Sequence, residues 1–268
     1  KLPKIAMFGG SVFLFPHPVK ELADFLKGYN IHINYDAAHV AGLIAGGQFQ
    51  DPLREGVDTM TMSTHKTLFG PQGGLVLAFE KDADAIKKAT FPGLTSSHHI
   101  HHMAGKAVTF AEALEFGKEY ASQTIKNAKL LAAELDNLGF KVLGEKMGYT
   151  ESHQTVVNVL DYGDGGKIEA DLEKANIIVN RQLIPGDLKA KRNYMSPGGI
   201  RLGTSEITRL GMKESEMQQI ASLIKQVIID KKDPKEITSQ VIDFRKNYQK
   251  TEYCFDNKLG AYEYVKLR

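Results

Sequence analysis

Ser63-Thr64-His65-Lys66-Thr67-Leu68, followed by Gly70-Pro71-Gln72-Gly73-Gly74, is the stretch on which the reading of this chain turns. Lys66 comes directly after a strand-like run, Val57–Ser63, in which Met60 and Met62 alternate with Thr59 and Thr61. The glycines after it read as a turn. Thirty residues earlier a second strand candidate, Ile31–Tyr35, ends at Asp36 in Asp36-Ala37-Ala38-His39. Working outward, Ile5–Phe8 is a short apolar run closed by Gly9-Gly10, and Leu75–Phe79 is another strand candidate. Val19–Tyr29 has helical spacing, with Leu22, Phe25 and Leu26 on one face. Strands alternating with a helix predict an α/β sheet, parallel in part. Such sheets bind ligands beyond the carboxyl ends of their strands, where Asp36 and Lys66 both fall.

The second half has a different rhythm. Met103–Leu138 is predicted as one long helix, punctuated by Gly117 and closed by Gly139 as a C-cap. Lys141–Leu143, Thr155–Leu160 and Ile177–Val179 read as strands, with Ile168–Lys174 helical between the last two. Glu214–Ile229 and Lys235–Asn247 read as amphipathic helices. The expected architecture is an α/β domain over residues 1–117 and a smaller α+β domain over residues 118–268, with the boundary near Gly117.

Composition narrows the function classes. The chain has 268 residues, 42% apolar and 25% charged, with a net charge of +2, which suits a globular protein and gives no basic patch for nucleic acid or a membrane surface. No apolar run is long enough to span a membrane. The N-terminal Lys1–Gly10 segment reads as a buried strand and turn rather than a signal peptide. A single cysteine, Cys254, excludes an intramolecular disulfide and fits a reducing, cytoplasmic setting. The chain does not begin with Met, and the expectation is a fragment or processed product.

A lysine and an aspartate at the ends of two strands match the needs of pyridoxal phosphate (PLP). The amine forms a Schiff base, and the carboxylate keeps the pyridine nitrogen protonated. By local pattern Lys66 fits a surface group as well as a Schiff-base former, and Asp36 alone fits a cap or turn. Taken together the functional reading of the pair is the stronger. Arg201, in Gly198-Gly199-Ile200-Arg201-Leu202-Gly203-Thr204, fits a surface ion pair or a bidentate anchor for an amino-acid carboxylate. His39 and His65 read equally as ordinary core and loop histidines. The cluster His98, His99, His101, His102 lacks a completing cysteine or carboxylate, so no metal site is expected. The loop Phe91–Ser97 before it serves as a helix N-cap, a phosphate contact, or both.

These residues resemble serine hydroxymethyltransferase, a PLP enzyme family of the aspartate aminotransferase fold. Asp36-Ala37-Ala38-His39-Val40-Ala41-Gly42-Leu43 is similar to the family's D-x-A-H-I/V-A-G-L, and Ser63–Gly74 to its T-T-H-K-T-L-x-G-P-x-G-G. Ala104–Val108 is similar to A-G-K-A-V, and Gly199–Thr204 to G-L/I-R-L/I/V-G-T. The resemblance implies that residues 1–117 are the C-terminal part of a large PLP-binding domain. It implies Lys66 as the Schiff-base lysine, Asp36 on the pyridine nitrogen, His39 against the ring with Ser11 near, and Ser63 and His65 flanking the lysine. It implies Arg201 on the substrate carboxylate, in a reaction that moves the hydroxymethyl carbon of serine to a reduced pterin and leaves glycine, within a homodimer that shares active sites.

Two departures qualify it. Ser96-Ser97 stands where most bacterial and eukaryotic members have Gly-Gly, in a loop that reaches the cofactor phosphate of the partner subunit. This version is similar to archaeal members, which widens the expected carrier from tetrahydrofolate to tetrahydromethanopterin. Family chains also carry a long segment before the point where this one starts, so the expectation is a partial site. A threonine aldolase-like lyase and a non-catalytic chain needing a separate N-terminal partner remain as alternatives.

Overall fold

The computed structural model describes residues 2–256, 260 and 261. The chain divides into two compact units between Ser122 and Gln123, inside one long helix that also contains Gly117.

In the first unit, β1 (Ile5–Gly9), β2 (His32–Asp36), β3 (Thr59–His65) and β4 (Phe69–Ala78) form a sheet in that order. β1, β2 and β3 run parallel, and β4 returns antiparallel to β3. Helices α1 (Val19–Leu26), α2 (Ala41–Ala45) and α3 (Pro52–Glu55) connect the parallel strands. The expected partly parallel α/β sheet is therefore present. Its core gathers Phe13, Val19, Ile33, Tyr35, Leu43, Val57, Met60 and Leu68.

The expected turn at Gly70–Gly74 is corrected: these residues belong to β4. The strand starts at Phe69, six residues before the predicted Leu75, because its glycine-rich half wraps the end of β3. There the pairing slips, from Ser63 opposite Gly74 to His65 opposite Phe69. Thr64 Oγ1 donates to Pro71 O at 2.7 Å, giving that carbonyl a partner where the ladder is interrupted. A bulge of this kind bends a strand and re-aims the side chains beside it, and this one immediately precedes Lys66.

After α4 (Ala83–Lys88), the long helix α5 runs Ile100–Asn137. Its C-terminus is closed as predicted: Gly139 takes a φ of +94°, which glycine alone adopts cheaply, and Phe140 N donates to Leu135 O at 3.1 Å.

In the second unit, β5 (Lys141–Val142), β6 (Gln154–Asn158), β7 (Asn180–Gln182) and β8 (Gly199–Gly203) form an antiparallel sheet in the order β5-β6-β8-β7. Helices α6 (Gly165–Lys174), α7 (Ser205–Arg209), α8 (Glu214–Ile228) and α9 (Pro234–Arg245) complete it. Ile168, Leu172, Ile200, Met217, Ile224 and Val241 meet in its core. The predicted strand Ile177–Val179 is corrected by three residues: Val179 is buried and Ile178 is exposed, but the pairing begins only at Asn180. β8 was not among the predicted strands, because glycine carries little strand preference. Gly199 is a buried strand position, close against the Ile184 side chain and the Val157 carbonyl, and Gly203 is an exposed one.

Candidate functional site

β2 and β3 are neighbours, and Asp36 and Lys66 leave them at the same, carboxyl-terminal end. Asp36 is the last residue of β2, opposite Gly9 on β1 and Thr61 on β3. The ladder continues one step beyond it, with Ala37 N donating to Thr61 O at 2.8 Å. Asp36 Oδ1 accepts from Ala38 N at 3.0 Å, so the turn-forming role weighed for this residue is real. It uses one oxygen only; Oδ2 has no hydrogen-bond partner among the described residues. Lys66 is half-buried and makes no hydrogen bond or ion pair among the described residues. An amine and a carboxylate oxygen, both left available at one end of a parallel sheet, suit a group that presents an aldehyde and a pyridine nitrogen.

Thr67 ties the two segments together. Its side chain is fully buried, and Oγ1 donates to His39 O at 2.8 Å while accepting from Gly42 N at 3.0 Å. A Cβ at Gly42 would lie 2.0 Å from Thr67 O, so only glycine lets α2 approach the Lys66 loop this closely. The motif residues Gly42 and Thr67 are thus partners in one contact.

The other predicted residues differ in burial and in the elements that carry them. His39 is half-buried in the turn after β2, and Ser63 is half-buried on β3 opposite Gly74. His65 is exposed, and its Nδ1 accepts from Gly73 N at 3.4 Å. Ser11 is exposed just after β1. Ser96 and Ser97 lie in an exposed loop before α5. His99, His101 and His102 follow them with their rings in mutual contact, the closest pair of centroids being 4.4 Å apart. Burial lowers the His102 pKa, and its two histidine neighbours add to that shift. Arg201 belongs to the second unit, on β8, where Nη2 donates to Asn180 Oδ1 at 3.2 Å. Desolvation lowers the pKa of its guanidinium, against a smaller opposing effect from Tyr194. It still remains a cation at any working pH.

Sequence reading missed the support beneath Asp36. Gln50 Oε1 accepts from Tyr35 Oη at 2.8 Å and from His17 N at 2.9 Å, and Gln50 Nε2 donates to His17 O and to Glu55 Oε2. Burial, with the charges of Glu55 and Asp36, pushes the Tyr35 phenol far up and keeps it a neutral donor. His17 is half-buried against Phe13, and its Nδ1 accepts from Gly9 N at 3.4 Å. A proline-flanked histidine and a lone glutamine carry no periodic signal, so only the fold shows that they converge.

Comparison with known proteins agrees across the chain. A family model described as serine hydroxymethyltransferase matches residues 1–224. The serine hydroxymethyltransferase of Nitrosopumilus maritimus is 79% identical over 268 residues, which is 100% of this chain and 61% of that protein. That of Cenarchaeum symbiosum is 72% identical, with the same coverage. That of Pyrococcus furiosus is 56% identical, over 97% of this chain and 62% of that protein. Among solved structures, an L-threonine transaldolase from Pseudomonas fluorescens superposes with a TM-score of 0.85 at 32% identity, covering 96% of this chain and 58% of that one. The chain therefore spans about three-fifths of the length of the relatives it matches. The predicted fold class, a partial aspartate aminotransferase-like α/β domain with an α+β part after it, stands.

Proposed function

The chain belongs to the serine hydroxymethyltransferase family, and from that premise we propose that the protein it comes from interconverts serine and glycine, passing the one-carbon unit to a reduced pterin, tetrahydrofolate or tetrahydromethanopterin. The observation that carries this reading is the placement of Asp36 and Lys66 at the same end of adjacent parallel strands, latched through Thr67.

Bound PLP supplies an electron sink for the pair left at Cα when the Cα–Cβ bond breaks. Lys66 would offer the amine that holds its aldehyde carbon, and the Asp36 carboxylate would accept a hydrogen bond from the protonated ring nitrogen. In this reading His39, Ser11, Ser63 and His65 would contact the cofactor or the bound substrate, and Ser96 and Ser97 would offer hydroxyls to a phosphate. Arg201 presents a planar fork to the substrate carboxylate, which sets the orientation of the bond to be broken. In this reading the first unit is part of the cofactor-binding domain and the second is the smaller domain. The working form is a homodimer in the cytoplasm. No helix among the described residues is long and apolar enough to cross a membrane, which is compatible with that placement.

The L-threonine transaldolase likeness keeps a threonine-directed lyase as the comparison reaction, but 32% identity against 79% favours serine. The test is made on the natural-length protein with added PLP, by borohydride reduction, peptide mapping and turnover assays. A label on Lys66 and pterin-dependent serine turnover are expected. A label elsewhere, or acetaldehyde release from threonine without pterin-dependent serine turnover, overturns the reading.

A further inference from the structure

We infer that Asn180 is a positioning residue for substrate binding: its side-chain oxygen sets the Arg201 guanidinium in the orientation that receives the amino-acid carboxylate. The inference rests on the reading of Arg201 as the substrate anchor and adds the group that aims it.

The two residues are direct partners across β7 and β8, and Arg181 opposite Ile200 and Gln182 opposite Gly199 complete that ladder. Side chains alternate between faces along each strand. Ile200 and Leu202 point into the core of the second unit, so Arg201 points to the other face, and Asn180 shares it. Arg181, between Asn180 and Gln182, points the opposite way and pairs with Glu169. Arg201 Nη2 donates to Asn180 Oδ1 at 3.2 Å. Because guanidinium only donates, the Asn180 amide is locked with its oxygen toward Arg201.

The residue type is informative. β7 is an edge strand, and Asn180 is exposed on it. At such a position packing asks for nothing, and strand preference asks for a β-branched or aromatic residue, among which asparagine is disfavoured. A residue that breaks a local preference with no packing gain points to function. The functional gain is physical. A free arginine side chain loses much rotamer freedom when it grips a ligand, and a neutral acceptor that holds it beforehand reduces that loss. Asparagine does so without charge. An aspartate here would hold the guanidinium more firmly but would compete with the incoming carboxylate.

The experiment compares glycine binding, by isothermal titration, and serine kinetics in wild type, N180A, N180S, N180D and R201A of the natural-length protein. N180A is expected to weaken glycine binding about tenfold, the loss of one charge-assisted hydrogen bond. N180D is expected to weaken it further, and N180S to recover part of the loss. The effect should appear in KM for serine, with kcat within about twofold and with unchanged PLP content and melting temperature. Wild-type binding in N180A and N180D, beside lost binding in R201A, overturns this inference alone. Wild-type binding in R201A overturns the anchor reading and this inference with it. A loss confined to kcat, or one that follows PLP content, also overturns it.

Discussion

The hydroxyl of Thr67 donates to the carbonyl of His39 at 2.8 Å, so the residue after the candidate Schiff-base lysine is fastened to the turn that follows Asp36. The same oxygen accepts from Gly42 N at 3.0 Å. Two sequence segments that chemistry requires to be neighbours are held as neighbours by one buried side chain.

Removing that hydroxyl should therefore loosen both segments. T67V keeps the shape but leaves the Gly42 amide and the His39 carbonyl unsatisfied, at a cost of about 2–3 kcal/mol in unfolding free energy. T67S should recover most of it. Urea unfolding midpoints check the first effect, and PLP affinity should fall in T67V in parallel.

Gly42→Ala tests the closeness of the contact. The added Cβ would sit 2.0 Å from the Thr67 carbonyl oxygen, a backbone atom that cannot rotate away. Overpacking against backbone at this distance should cost about 3 kcal/mol or prevent folding. A G42A protein with wild-type stability would show that α2 and the Lys66 loop do not pack this way.

The paired roles of Lys66 and Asp36 separate by variant. K66A should abolish the borohydride-reducible label. D36N should keep the label on Lys66 but lower serine turnover by about a hundredfold or more, as expected when a preorganised electrostatic partner is lost. Equal turnover in D36N and wild type would remove Asp36 from the chemistry.

His17 should make stability depend on pH in a definite direction. Burial lowers its pKa in the folded state from the ordinary 6.5. The unfolded chain therefore takes up a proton first as pH falls through about 6.5, and stability drops until the lower folded value is passed. H17N offers an acceptor to Gly9 N and does not titrate. The stability advantage of wild type over H17N at pH 8 should shrink between pH 7 and pH 5, as read from denaturant midpoints.

In the second unit, Asp187 is buried, and its Oδ2 accepts from Ile184 N at 2.9 Å and Gly198 N at 2.8 Å. It closes the loop that leads into β8 and Arg201. D187A should cost about 3 kcal/mol of stability, because two buried amides lose a charged acceptor. It should also raise KM for serine, through disorder at the start of β8.

Apolar periodicity and residue chemistry made much of this legible. The alternation Thr59-Met60-Thr61-Met62 marked β3, and long amphipathic runs marked α5, α8 and α9. Glycine was the main source of error. Gly70–Gly74 read as a turn and Gly199–Gly203 was not predicted as a strand, because glycine's local preference is for turns, yet both stretches are strand, and at Gly70 and Gly199 neighbouring atoms come too close for a Cβ. β7 lay three residues beyond its predicted place, because the apolar run before it, with Val179 buried and Ile178 exposed, does not pair.

By itself, then, the sequence determined the α/β order, the chemical kinds of group on offer (an amine, a carboxylate, a guanidinium) and the family whose motifs contain them. Those are properties of residue type and spacing, which the linear chain carries in full. Only the tertiary structure decided that Asp36 and Lys66 leave neighbouring strands at the same end, that Thr67 latches them, and that Gln50 and His17 brace the strand ends from a distant stretch of chain. Those contacts join residues 15 or more positions apart, through single hydrogen bonds to backbone or side chain. No local periodicity encodes such a bond; it exists only once the sheet has set its register and the glycines have let the segments close.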